Sequence, residues 1–372
     1  GAARTYILAG DDTYDMYQGR CTSMFTFAAE GLFIPVDKIP NLALSKPYWD
    51  QKLYDDLSVC GEHHFAVGAF NISSYDFTHV MLFNKKMLDE YKLGDIYDVV
   101  KSGKWTFDKF AEMGRKVVSD LNGDSVFDQN DRYGMLTDDS HNGTFVYLVA
   151  GTGVSLAVKD TENVIIPNIM TEKVQDMITK CSAVLTGTDC AISSEELFGM
   201  GDTTGYANEY DYPRALFADG HFLFYQSGIA SMECFRDMKQ DFGLVPNPKY
   251  DENQENYHHK IDLFAVPVCA GDMERVGAVL EYSAWLSHQT LLPAYYETTV
   301  KGKRLRDDKA IEMLDVIKSS ILYDLSDVFG LGGNQILWDA FKSGNLSSTY
   351  AKKEKTFRKQ IDKLLDDLSS IG

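Results

Sequence analysis

Cysteine is scarce. Six residues (Cys21, Cys60, Cys181, Cys190, Cys234 and Cys269) in a chain of 372 are too few for a disulfide framework. None falls in a Cys-x-x-Cys pair, so a redox dithiol or a zinc knuckle has no support. Cys181 and Cys190 are spaced to close a small loop, and free buried thiols are an equal reading. Long apolar runs are missing too: none approaches the ~20 residues that cross a bilayer. The opening Gly1-Ala2-Ala3-Arg4-Thr5-Tyr6-Ile7 lacks the positive-then-apolar order of a signal peptide. Positive charge is short, with 36 Lys and Arg against 55 Asp and Glu and a net charge of -19. Nucleic acid and anionic membrane would both repel such a chain, so neither is expected as a partner. Tandem repeats, long Pro/Ser linkers and low-complexity runs are absent.

Enzyme signatures are equally thin. His-Glu-x-x-His, Gly-x-Ser-x-Gly and the phosphate loop do not occur. The pairs His63-His64 and His258-His259 lack the i, i+4 spacing of a zinc helix. Carboxylates abound, but abundance is not the paired, fixed separation a glycosidase needs. No catalytic residue is assigned.

What is present is an ordinary globular composition, 44% apolar and 24% charged, long enough to divide into two lobes. The stretch 215–268 organises the rest. Phe222 to Tyr225 reads as an apolar strand, followed by a turn at Ser227-Gly228 and a short helix. A second strand ends at Pro246, a polar segment follows, and another strand runs from Ile261 to Val268. Strands joined through helices imply an α/β fold with a largely parallel sheet, whose ligands sit where strands run into loops. Val80 to Phe83 is a further strand. Phe107, Phe110, Val117 and Leu121 recur at helical spacing behind an N-cap at Thr106, with Asp108 in the first turn. Phe357, Ile361, Leu364, Leu365 and Leu368 form one apolar stripe near the C-terminus. On the helix Arg275 to Ser287, Val276, Val279, Leu280 and Leu286 read as a core stripe with Trp285 opposite, as on a helix buried on two sides.

Gly228-Ile229-Ala230-Ser231-Met232 followed by Phe242-Gly243-Leu244-Val245-Pro246 resembles the extracellular solute-binding proteins of ABC importers, family 1, the branch containing maltose-binding protein. Matching stretches in the same order are Ala9 to Asp15, Leu82-Phe83-Asn84-Lys85-Lys86, Lys104-Trp105-Thr106-Phe107 and Pro293-Ala294-Tyr295-Tyr296. The resemblance implies a two-lobe periplasmic-binding-protein-like fold (type II) with hinge crossings. By that analogy the N-terminal lobe takes 1–81 and 263–330, and the C-terminal lobe takes 82–262 and 331–372. Gly330-Leu331-Gly332-Gly333 would be one hinge. The family places further elements before Ile7, so the first lobe is expected to lack part of its sheet.

The sharpest local pattern is Asp120, Asn122, Asp124, Asp128 and Asp131, with the Val126 carbonyl between them. These are positions 1, 3, 5, 9, 12 and 7 of an EF-hand-type loop, so structural calcium is expected. Ser125 stands at position 6 where glycine is usual, and Asp131 replaces the usual glutamate. An Asx-rich turn without metal is the plainer alternative. The second constellation is aromatic, since sugar pockets offer flat apolar faces and planar polar groups. By resemblance Trp338 matches a stacking tryptophan, and Phe235-Arg236 falls where another platform sits. Phe145, Tyr147 and Gly153 lie in a further matching segment. Tyr17, Gln18, Asn71, Tyr75 and Asp76 lie in loops after predicted strands, and His258 lies beside a crossing. Each has a bland alternative as core or surface.

The resemblance therefore implies a binding component of an importer. It would hold a carbohydrate, expected to be an oligosaccharide, and deliver it to permease subunits. The protein would act outside the cell as a monomer, through a lipoprotein tether not in this chain. A carbohydrate-active hydrolase or lyase with structural calcium is the alternative, and a binder of peptide or polyamine is a third.

Overall fold

The computed structural model describes residues 2–137, 141–186, 190–255, 257–259 and 262–369. Its strands are Tyr17–Arg20 (β1), Phe33–Ile34 (β2), His79–Asn84 (β3), Tyr133–Thr137 (β4), Ala157–Lys159 (β5) and Ile165–Pro167 (β6). They continue with Ala191–Ser193 (β7), Phe222–Gly228 (β8), Phe242–Val245 (β9), His258–His259 (β10), Asp262–Pro267 (β11) and Ile321–Leu322 (β12).

Two lobes form around two sheets, the smaller antiparallel and the larger mixed. The smaller sheet has the order β1-β11-β2, and the larger has β7-β4-β8-β3-β9. In the larger sheet β4 pairs in parallel with β7 and β8. The expected parallel partners β8 and β9 do run the same way, but they are not neighbours. β3 lies between them, antiparallel to both, with Met81 opposite Gln226 on one side and Val245 on the other. The reason is entry direction: β3 arrives from the first lobe, so it runs against strands that start inside the second. As a result the amino end of β3 and the carboxyl ends of β4, β7, β8 and β9 share one edge of the sheet. Ligands of such sheets lie along that edge.

Local chemistry explains where helices start. Asp50, Asn84, Thr106 and Asp307 each accept the backbone N–H three residues on, at Leu53, Met87, Lys109 and Ala310. That satisfies donors a helix end leaves unpaired. The helix Phe107–Val117 buries Phe107, Phe110, Met113 and Val117 and ends before Leu121, which is half exposed in the following loop. It lies close on β4: a Cβ at Gly134 would come within 2.6 Å of the Gly114 carbonyl oxygen. Trp105 is fully buried and donates its indole N–H to the Pro246 carbonyl at 2.8 Å.

The lobe boundaries differ from the expectation in one segment. Helix Met273–Gln289 packs its Val276, Leu280 and Ala284 with Trp49 and Phe264 of the smaller-sheet lobe. From Tyr295 to Ile317, however, the chain packs with Val80, Leu82 and Leu244 of the larger sheet. The apolar faces of Leu314 and Ile317 need that sheet as cover, so this part of 263–330 belongs with the second lobe. Trp285 is also corrected: with Val279, Tyr282 and Leu286 it is 40–60% exposed, so the helix is buried on one side only. Near the proposed glycine hinge, Gly330 and Gly332 take φ of 60° and 88°. Gly330 lies against Phe25, whose ring would sit 2.3 Å from an added Cβ.

Cys181 and Cys190 are both buried. Burial pushes the Cys190 thiol up to about 11. Among the described residues no helix is long and apolar enough to cross a membrane.

Candidate functional site

The edge where β3 begins is split by the crossing segment into two faces. Consecutive residues of an extended chain point to opposite sides, and Thr78 and His79 do so here. Thr78 and Tyr75 line a cavity of about 850 Å³, while Phe77 and His79 turn to the other side.

On that other side three bodies meet. Arg20, at the end of β1, places its guanidinium 5.6 Å from the centroid of the Phe77 ring. Phe77 is 43% exposed, and a stack of this kind holds a ring face in place without burying it. His79 stacks on Tyr147 of the helix Asn142–Ala150, with centroids 3.7 Å apart and planes at 13°. Burial, and then the charge of Arg20, push His79 well below the ordinary histidine range, so it is neutral near pH 7. Beside them Gln18 donates to Asp262 at 3.1 Å, and Ser73 donates to the same carboxylate. First-lobe strand, crossing segment and second-lobe helix thus present Arg20, Phe77, His79 and Tyr147 together. We refer to this as the front face.

The cavity lies behind it. Its first-lobe wall carries Tyr48, Trp49 and Asp50, the crossing supplies Tyr75 and Thr78, and Ile229, Tyr257, Tyr296 and Lys318 close it from the second lobe. Burial and then a hydrogen bond to Glu281 push the Tyr48 hydroxyl up to about 12.

The residues expected from sequence distribute unevenly. Tyr147 is on the front face. Gln18 is beside it, and Tyr17 is half-buried against Phe33 and Tyr14. Tyr75 lines the rear cavity. Gly153 backs it, because the Tyr257 ring lies where a Cβ would stand, 2.4 Å away. His258 is fully buried behind the cavity wall. Its Nε2 accepts the Asn247 N–H at 3.1 Å, which leaves Nδ1 to donate to the Ser320 hydroxyl at 2.8 Å.

Other expected contacts are taken up by the protein itself. Phe145 and Phe235 are 0% and 1% exposed, so neither ring has a face open to a ligand. Phe235 is enclosed by Phe217, Tyr225 and Phe242. Asn71 is buried and accepts the Gly68 N–H at 2.7 Å. Asp76 accepts from Tyr295 and Arg304 at 2.7 and 2.6 Å. Arg236 is exposed, 3.8 Å from Glu233. Trp338 is half-buried, stacked on Phe341 and tilted against Phe145, with Lys342 over its ring. It does not line the cavity.

Sequence reasoning missed Arg20, Phe77, His79, Tyr48, Trp49, Tyr257 and Tyr296. A signal existed for one group: Pro47-Tyr48-Trp49 stands immediately before the Asp50 cap, which marks these aromatics as pre-helix loop residues rather than helical ones.

In the acidic loop the side chains bind the loop's own backbone. Asp120 accepts from Gly123 and Ser125 at 2.6 and 2.8 Å, and the buried Asp131 accepts from Leu121 and Asp128 at 2.8 and 3.0 Å. Ser125 takes φ of 65°, the left-handed turn that position 6 requires. Among the described residues no group of three or more His, Cys, Asp or Glu stands converged for a metal ion.

No protein-family model matches the chain, and no curated protein matches it by sequence. Solved structures share its fold. The ABC substrate-binding protein Lmo0181 from Listeria monocytogenes, in complex with cycloalternan, aligns with a TM-score of 0.59 at 14% identity, over 98% of this chain and 87% of that one. The GacH receptor of Streptomyces glaucescens, solved unliganded and with acarbose, gives 0.62 at 12% identity, over 96% and 86%. UgpB from Mycobacterium tuberculosis, in complex with glycerophosphocholine, gives 0.59 at 16% identity, over 98% and 85%. The chain has the two-lobe fold of these substrate-binding proteins.

Proposed function

We propose that this chain is the substrate-binding component of an ABC importer and holds a carbohydrate, an oligosaccharide, between its lobes at the front face. The observation that carries the reading is the meeting of Arg20, Phe77, His79 and Tyr147 from three separate bodies at the ligand edge of the sheet. Exposed Phe77 offers an apolar ring face to a pyranose, and Arg20 and Gln18 offer hydrogen-bond donors to its hydroxyls. A ligand touching both lobes gains its full contacts only when they close, and that differential affinity shifts the population to the closed form a permease would recognise. The fold is shared with proteins solved with cycloalternan and acarbose, which supports the class of ligand. We read the protein as a binder without catalysis, acting outside the cell as a monomer tethered as a lipoprotein.

A thermal-shift screen against neutral oligosaccharides, with glycerophosphocholine beside them, tests this. At 100 times its Kd a ligand stabilises by about 2.7 kcal/mol, so at least one oligosaccharide raises Tm. Phe77→Ala and Tyr147→Ala each weaken that ligand about tenfold. A shift by glycerophosphocholine and by no glycan would mean another solute, and new reducing ends would mean the hydrolase.

We also propose a structural calcium ion in the Asp120–Asp131 loop. Five side-chain oxygens in the right order and the positive φ at Ser125 support it. Asp120, Asn122, Asp124, Asp128 and Asp131 would supply side-chain oxygens and Val126 its carbonyl. The ion would fix the loop between the helix Phe107–Val117 and β4.

A further inference from the structure

The rear cavity is assigned no role above, and its walls differ in kind from the front face. We propose that it is a second binding site, for an uncharged compound built on flat apolar rings. At about 850 Å³ it lies within the range of small-molecule pockets. None of the four front-face residues lines it.

Its aromatic walls are held rigid by one another and by neighbours outside the cavity. Trp49 donates its indole N–H to Glu281 at 3.0 Å and packs edge-on to Phe70 at 6.0 Å. Tyr296 meets Tyr75 edge-on at 5.8 Å and Tyr295 at 5.1 Å. Tyr257 packs its ring against Gly153, where any side chain would displace it. Ring faces fixed before binding lose little freedom when a ligand arrives. Between them Leu292, Val316 and Ile321 add aliphatic surface.

Four of the charged side chains at the walls are matched from within the protein. Lys52 pairs with Asp56 at 2.5 Å. Lys318 lies 3.8 Å from Asp315 and 4.0 Å from the Tyr296 ring centroid. Glu297 pairs with Lys301 at 2.6 Å. Asp50 accepts the Tyr323 hydroxyl at 2.8 Å and the Leu53 N–H at 3.1 Å. Glu255 stands exposed at the rim. A charged ligand would give up its hydration and find these partners occupied, which is costly. An uncharged ring compound would lose only apolar hydration, which favours burial.

Fluorescence titration with N-phenyl-1-naphthylamine, an uncharged two-ring amphiphile, tests the site without knowledge of any glycan. The expected result is a saturable enhancement with one molecule per chain. Its sulfonated analogue 8-anilino-1-naphthalenesulfonate, the same rings with a negative charge, binds at least about tenfold weaker. Val316→Trp and Leu292→Trp fill the space from two walls and each weaken binding about tenfold or more, whereas Phe77→Ala and Tyr147→Ala change it less than about twofold. A co-crystal places the rings between Tyr257 and Tyr296. No saturable enhancement, equal binding of the sulfonate, indifference to both filling variants, or rings found elsewhere overturns the proposal. Failure of the carbohydrate screen does not touch it.

Discussion

Asp324 shows how one buried carboxyl sets a pH response. It is 2% exposed, and burial pushes its pKa up to about 7, although the Leu156 N–H at 2.7 Å pulls the other way. In an unfolded chain it titrates near 3.9. Between about pH 4 and 7 the folded state therefore binds more protons than the unfolded one, and its contribution to stability falls as pH rises through that window. Asp324→Asn removes that contribution, so denaturant-measured stability should fall less steeply with pH than in the parent; parallel curves would refute the assignment. The same scale shows what sequence hides. Phe77-Thr78-His79 reads as alternation, but nothing in it says which side faces the other lobe. Trp338 and Phe235 read as platforms because indole and phenyl rings suit sugars and cores equally, and for Phe235 only the neighbours Phe217 and Tyr225 decide for the core.

Among elements, those whose pattern is local were the legible ones. The helix Phe107–Val117 follows from its apolar period and the Thr106 cap. Helix Leu346–Ser369 buries the predicted Phe357, Ile361, Leu364 and Leu368. The place of β3 between β8 and β9 was not legible, because strand order depends on partners more than a hundred residues away. Packing between elements is also invisible in the chain. Helix Met273–Gln289 lies so close to the remote loop at Pro40 that a Cβ at Gly277 would stand 1.7 Å from the Pro40 carbonyl oxygen. Gly277→Ala must push helix and loop apart and should cost about 1–3 kcal/mol, read from the urea midpoint. A neutral result would mean that the two can separate freely.

At the scale of the molecule, two sheets joined by crossings predict motion. Adding the oligosaccharide found by the screen should lower the radius of gyration in small-angle X-ray scattering, and an unchanged value would remove hinge closure. Calcium should raise Tm and EDTA lower it, with Asp120→Ala abolishing the difference; insensitivity of the parent to EDTA would leave the loop as an Asx-rich turn. The two-lobe plan was legible because its motifs keep their order along the whole chain, whereas the segment from Tyr295 to Ile317 was misassigned because its partner surface is remote. The smaller sheet carries one more consequence. Its central strand is β11, and contacts such as Gln18 with Asp262 join residues 244 apart. At about 5–20 residues per second, a ribosome leaves β1 and β2 waiting for tens of seconds before the strand that unites them emerges. The nascent amino-terminal segment must spend that interval without its pairing partner.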